Sequence, residues 1–218
     1  VQANTDAGFS IVTYTGTGST ATVGHGLSQT PDMVITKSRN ATQFWIVQHV
    51  GLSAVTQNLY LQTTNSEQPD SQYTALSPTT LTVNGGSVNA STTTYVSYCF
   101  HSVEGYSKFG TYTGNSSSTG DGTFVYLGFK PSFVMLKDIG GGEWGIFDNT
   151  RNTFNVVNKL LQAQDAGVEY SSDTNRDLDF LSNGFKLRNG SALVFNNSAR
   201  TYIYMAFAET SFKYATAR

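Results

Sequence analysis

The side chains to test first for chemistry are the three histidines, His25, His49 and His101. They fall in three separate elements, and no pair has the short ligand spacing of a zinc site. All lie in the first half of the chain. The matching places in the second half hold other residues, Asp148 or its neighbours opposite His49 and Ala208 opposite His101. They read as surface or strand-end histidines. A second candidate runs from Asp173 to Asp179 and places oxygen donors at Asp173, Asn175, Asp177 and Asp179, the alternate positions that open a calcium loop. It lacks the glycine and the distal bidentate glutamate that complete such a loop. A solvated acidic loop is therefore the main reading, with Ca2+ as the one cofactor worth testing and none otherwise expected.

Hydrolytic chemistry finds no assembled set. Gly140-Gly141-Gly142 joins two expected strands, whereas a phosphate cradle joins a strand to a helix. No Gly-x-Ser-x-Gly elbow is present, and the single Cys99 has no partner constellation. A glycosidase would need two carboxylates from distant strands. Glu104, Glu143, Asp148 and Glu209 exist, but Glu104 and Glu209 each stand four residues before a lysine, Lys108 and Lys213, and read as structural ion pairs. The expectation is a protein that is not an enzyme.

Recognition chemistry is better supplied. Trp45 and Trp144 hold equivalent places in the two halves, which equivalent burial would explain. The alternative is that they flank a groove in which flat rings meet pyranose C–H faces while Asn, Ser and Thr supply neutral hydrogen bonds. Loops rich in Tyr, Ser, Gly and Asn suit adaptable recognition. The ligand-binding candidates on hairpin tips are Arg39, Asn40, Tyr73, Asn115 and Asp138, with Asp173 beside them. Five Asn-x-Ser/Thr triplets, at Asn40, Asn89, Asn115, Asn189 and Asn196, are expected from composition alone.

The elements that must position these groups are strands. The 218 residues are only 13% charged but 13% aromatic, with 21 Gly and 4 Pro. An ordinary globular chain carries about 25% charge. Here the polar share is short and uncharged, at home on sheet faces and in turns. The 13 basic residues are scattered singly and the net charge is −2, so no groove for nucleic acid is expected. No apolar run approaches the roughly 20 residues of a membrane span, so no membrane insertion is expected. Cys99 reads as a small buried filler, and a chain of this type without disulfides fits assembly in a reducing cytosol. A start at Val1-Gln2-Ala3-Asn4 suggests a processed chain or a piece of something larger.

The chain then says the same thing twice. Thr13-Tyr14-Thr15-Gly16, Pro31-Asp32-Met33-Val34, Trp45 and Tyr95-Val96-Ser97-Tyr98-Cys99-Phe100 return in order as Thr111-Tyr112-Thr113-Gly114, Pro131-Ser132-Phe133-Val134, Trp144 and Tyr202-Ile203-Tyr204-Met205-Ala206-Phe207. Asn89-Ala90-Ser91 returns as Asn196-Asn197-Ser198. The pattern predicts a tandem duplication of one small β domain. Residues 1–8 would be a linker or pairing arm, 9–108 the first lobe and 109–218 the second. Residues 33–49 should form a hairpin. Leu81-Thr82-Val83 should turn back at Asn84-Gly85 into a strand over 92–100, with Tyr95, Ser97 and Cys99 on one face. Val156, Val157, Leu160 and Leu161 give the only helical spacing, within 155–164. Residues 50–79 show no clear pattern. The fold class is all-β, two β-sandwich-like lobes of about 100 residues each with at most one short helix.

Several stretches also carry a family likeness: Gly110-Thr111-Tyr112-Thr113-Gly114-Asn115, Gly128-Phe129-Lys130-Pro131, Trp144-x-Ile146-Phe147-Asp148, Asp179 to Arg188, and Thr201 to Glu209. Over about 9–218 the chain resembles an uncharacterised domain of tailed bacteriophages, common in marine and metagenomic phage proteins. It is usually C-terminal in tail-fibre or other virion polypeptides and often stands beside a concanavalin-like lectin domain. The C-terminal Phe212-Lys213-Tyr214-Ala215 to Arg218 is an ending such proteins share. The resemblance implies a virion location and the receptor-facing end of a fibre or spike, binding a host cell-surface glycan or protein and meeting other virion subunits. A homo-oligomer is implied, with a trimer favoured because fibres are symmetric. A capsid-decorating or fibre-joining protein is the alternative, and a glycan depolymerase the second. The first copy departs furthest, with Val23-Gly24-His25-Gly26-Leu27 against Tyr126-Leu127-Gly128-Phe129, so a duplicated ligand site would survive in one lobe only.

Overall fold

The computed structural model describes residues 1–171, 174–188 and 194–209. It is almost wholly antiparallel β and divides into two compact units, Val1–Val103 and Glu104–Arg218. The division falls ahead of the sequence-based boundary at 108/109, which would cut the strand that begins at Ser107.

In the first unit, β1 (Gln2–Asn4), β2 (Phe9–Thr15), β3 (Ala21–Gly24), β4 (Met33–Ser38), β5 (Ile46–His49), β6 (Leu59–Tyr60), β7 (Tyr73–Leu76) and β8 (Thr80–Val83) precede a one-turn helix, α1 (Gly86–Asn89), and β9 (Thr94–Phe100). One sheet has the order β1-β2-β9-β4-β5-β6 and the other β3-β8-β7. The second unit comprises β10 (Ser107–Thr113), β11 (Phe124–Tyr126), β12 (Pro131–Asp138), β13 (Trp144–Asp148), β14 (Leu161–Gln162), β15 (Leu178–Leu181), β16 (Gly184–Leu187) and β17 (Thr201–Ala208). Its sheets run β10-β17-β12-β13-β14 and β11-β16-β15. Strand for strand, these are the orders of the first unit. Only β1 has no counterpart among the described residues. The arm at residues 1–8 is thus part of the first sheet, pairing Gln2–Asn4 with Ile11–Phe9.

Alternation dictates what is buried. Along β9 the residues Tyr95, Ser97 and Cys99 point inward and their neighbours do not. Each unit closes its two sheets over one core. Val12, Val34, Ile46 and Cys99 of the larger sheet meet Tyr73, Leu81 and Val83 of the smaller in the first unit. Tyr112, Val134, Leu136, Phe147 and Tyr202 meet Val125, Leu178, Phe185 and Leu187 in the second. Burial raises the Cys99 thiol to about 12, as befits an inert filler. Stacked tyrosines recur at one spot, Tyr14 on Tyr95 at 5.2 Å and Tyr112 on Tyr202 at 5.0 Å. Such pairs add about 0.5–1.5 kcal/mol beyond their buried area.

Two local expectations are corrected. Asn84-Gly85 does not turn a hairpin. The N–H groups of both residues donate to Gln72 O, at 2.9 and 3.3 Å, and the chain enters α1 before crossing to β9 in the other sheet. The helix expected within 155–164 is extended chain instead. Val157 pairs with Leu178, Leu160 with Tyr170, and Leu161–Gln162 forms β14. Val157 and Leu160 enter the core as bridge residues, so backbone pairing overrides a helical spacing that β-branched residues support poorly. The first unit also places the helix where none was expected, at Gly86–Asn89.

Candidate functional site

Asp148 ends β13 and fixes the chain that follows. Its Oδ1 accepts from the N–H groups of Thr150 and Arg151, at 3.0 and 2.8 Å, and its Oδ2 lies 2.6 Å from Arg151 Nε. Arg151 in turn donates through Nη2 to Ile146 O at 2.8 Å and pairs through Nη1 with Glu169 at 3.1 Å. Asn152 Oδ1 accepts from the N–H groups of Asn158 and Lys159, at 3.2 and 2.8 Å, and so ties off the loop base. Asn155 pairs with the edge of β15 through both ends of its amide: Nδ2 donates to Phe180 O at 3.0 Å and Oδ1 accepts from Phe180 N at 2.9 Å. Between these anchors the ring of Phe154 is 84% exposed.

This loop borders a cavity of about 550 Å³ whose lining includes Lys130, Asn149, Thr150, Thr153, Phe154 and Glu209, over a floor of Val157 and Phe180. The floor residues are buried and apolar. Among the described residues, the side chains of Asn149, Thr150 and Thr153 make no hydrogen bond. The groove therefore combines a preorganised aromatic face, neutral donors and acceptors without a partner among the described residues, and one group of each charge at the rim. It carries a single carboxylate among its lining residues, Glu209, where a glycosidase pair would need two. The equivalent connection of the first unit, residues 50–58, is shorter than residues 149–160, and Val50 and Gly51 stand where Asn149 and Thr150 do.

The residues nominated from sequence are placed elsewhere. Trp144 is 1% exposed and cannot flank a groove, while Trp45 is half-buried. Both hold one corner of the scaffold: Trp45 N donates to Gln62 Oε1 at 3.0 Å and Trp144 N to Gln164 Oε1 at 2.9 Å. Tyr73 is fully buried, its hydroxyl 2.6 Å from Thr36 Oγ1. Asp138 is buried against Arg200 Nη1 at 2.8 Å. Asn115 is exposed, but Ser117 N, Asn196 Nδ2 and Asp121 O already satisfy its amide. Arg39 and Asn40 are exposed on the β4–β5 connection, with Asn40 Oδ1 accepting from Thr94 N at 2.9 Å.

Of the calcium-like run, Asp173 lies outside the described residues. Asn175 and Asp177 precede β15, and Asp179 on β15 is paired with Arg188 Nε at 2.6 Å. Among the described residues no cluster of three His, Cys, Asp or Glu is placed to hold a metal. The histidines stand at strand ends, as one of the two readings had it, but are buried and not surface groups: His25, His49 and His101 are 0%, 2% and 4% exposed. His25 Nε2 lies 3.1 Å from Ser77 O, and burial lowers its pKa. Lys108 does not pair with Glu104. Its ammonium donates to Tyr126 O at 2.9 Å and sits over the Tyr126 ring, while Lys213 lies outside the described residues. Lys137, wholly enclosed, donates to Asp138 O and Gly142 O at 2.9 Å, and burial pushes its amine down to about 8.

Sequence reasoning missed Phe154 and its polar neighbours because they fall between the Trp144 strand and the stretch 155–164 assigned to a helix, where no pattern marks them. The signal available was the length difference between the two β5–β6-type connections.

Against families of known sequence, the one described as Domain of unknown function (DUF7483) matches residues 1–211, and the chain belongs to it. No curated protein and no solved structure matches the chain.

Proposed function

We propose that this family member is a non-enzymatic recognition module of a bacteriophage virion, the distal part of a tail fibre or spike, and that it binds a bacterial surface glycan in the groove beside residues 149–157. One observation carries the binding reading: a loop held at Asp148, Asn152 and Asn155 presents Phe154 to solvent next to unspent amide and hydroxyl groups. Exposing a large ring on an ordered loop costs burial that the fold does not recover. A flat apolar face beside neutral hydrogen-bonding groups suits a pyranose. Preorganisation reduces the ordering cost of binding. The virion setting, a trimeric fibre and contacts with other virion subunits rest on the sequence resemblance.

A structural role is the second reading. It is favoured by the exposure of Val156 in the same connection, Leu161 in β14, and Val168 and Tyr170 after it, a set of apolar side chains that a neighbouring subunit could cover. The two readings separate in one experiment. Purified protein and a Phe154→Ala variant are applied to a bacterial glycan array, and their mass in solution is measured in parallel. Glycan recognition gives saturable binding that the variant loses at least tenfold, about 1.4 kcal/mol. A structural role gives no glycan signal and an oligomer that dissociates in the variant.

A further inference from the structure

The first unit carries an aromatic pair that its fold does not require. Phe44 lies in the β4–β5 connection, 47% exposed, with its ring stacked on Tyr60 at 4.5 Å and 23°. The Tyr60 hydroxyl donates to Asp70 Oδ2, and Asn58 Nδ2 donates to the same oxygen at 3.4 Å. Asp70 Oδ1 accepts nothing from the described residues. The backbone around Phe44 is fixed on both sides, by Lys37 Nζ donating to Gln43 O at 2.8 Å and by Trp45 N donating to Gln62 Oε1 at 3.0 Å.

The second unit shows which parts of this corner are structural. Lys137 donates to Gly142 O and Trp144 N to Gln164 Oε1, repeating the two backbone anchors. In place of Phe44 and Tyr60, however, stand Glu143 and Gln162, hydrogen-bonded to each other. The scaffold needs the lysine and the glutamine. It is indifferent to the stacked rings, which leave the outer face of Phe44 in solvent at a cost in unburied apolar area.

We propose that Phe44, Tyr60 and Asp70 form a second carbohydrate subsite, specific for a neutral pyranose. Phe44 offers the face for stacking against ring C–H groups. Asp70, oriented through Oδ2 by Tyr60 and Asn58, presents Oδ1 to accept from a sugar hydroxyl, a charge-assisted hydrogen bond. The carboxylate repels phosphate and acidic sugars, and the nearby Lys37 is committed to Gln43 O. The ligand class follows the glycan reading given above, but the subsite lies in the other unit and stands or falls separately.

The test follows the ring resonances of Phe44 and Tyr60 by NMR in protein carrying Phe154→Ala, so that the groove is disabled. The probes are neutral methyl pyranosides, titrated to roughly tenfold above a Kd of ~1 mM. Saturable shifts of both rings are expected. They are lost when Phe44→Glu and Tyr60→Gln are introduced together, the pair that the second unit already accommodates, and weakened at least fivefold in Asp70→Asn. Rings that do not move, or binding that survives the double substitution, overturn the subsite. Glycan binding that disappears with Phe154→Ala alone, with the Phe44 and Tyr60 rings unmoved in the intact protein, would leave the groove standing without it.

Discussion

Asn89 and Asn196 hold the same place in the two units, and both are buried. Asn89 Oδ1 accepts from Thr17 N at 2.9 Å and its Nδ2 donates to Ser19 O at 2.6 Å. Asn196 does the same with Asn115 N at 3.1 Å and Ser117 O at 3.2 Å. Beside each, a tyrosine hydroxyl reaches across the loop: Tyr14 donates to Val88 O at 2.7 Å and Tyr112 to Phe195 O at 2.9 Å. Gly16 and Gly114 complete the contact, because a Cβ there would fall 2.2 Å from Ala90 O or Asn196 C. The repeated motif residues are therefore the struts of a sandwich corner. Replacing either asparagine with alanine removes these bonds from a buried side chain, so Asn89→Ala and Asn196→Ala should each cost about 1–3 kcal/mol in urea unfolding. A loss below ~0.5 kcal/mol, the usual size of a surface change, would refute the strut role.

At the scale of elements, the groove depends on the connection between β13 and β14 keeping its shape. Arg151 joins Asp148, Glu169 and Ile146 O, so Arg151→Gln should free the loop without melting the sheet. The expected result is a loss of glycan affinity of at least tenfold, ~1.4 kcal/mol, with near-unchanged thermal unfolding. Equal loss of binding and of the whole fold would contradict a local role. What was legible in sequence follows the same division. Strand alternation, the β4–β5 hairpin and the fold class could be read because period-2 burial and turn residues write them locally. The crossover after Asn84-Gly85 could not, since its partner Gln72 O is a tertiary choice. The Phe154 loop could not either, because Val156, Val157, Leu160 and Leu161 mimic a helix face while the chain pairs as bridges. Trp45 and Trp144 were legible as equivalent residues, and their equivalence is one of scaffold.

For the molecule as a whole, the two units share a strand order but not their titrating groups. All three histidines lie in the first unit, and each is buried. Burial lowers the His25 pKa below its ordinary 6.5, with only part of that offset by the Ser77 carbonyl. A histidine held neutral stabilises the fold above its unfolded pKa, and that stability is lost as pH falls towards the folded value. In the second unit Asp148 works lower on the scale. Burial would raise it, but the Arg151 and Thr150 N–H groups and the Arg151 guanidinium outweigh that and hold it below the usual carboxylate range. Its contribution persists until pH falls below about 4. Each unit has its own core, so fragments 1–103 and 104–218 should both fold. The melting temperature of fragment 1–103 should fall between pH 7 and about 5.5, and that of 104–218 should hold steady over the same range. Parallel curves would refute the assignment of acid lability to the first unit.

The most direct test of the recognition claim is the glycan-array titration of the intact protein beside Phe154→Ala. Saturable binding to one glycan class, lost in the variant while its unfolding curve stays in place, is the result this structure predicts. Binding unaffected by Phe154→Ala, or no binding to any bacterial glycan, would contradict it.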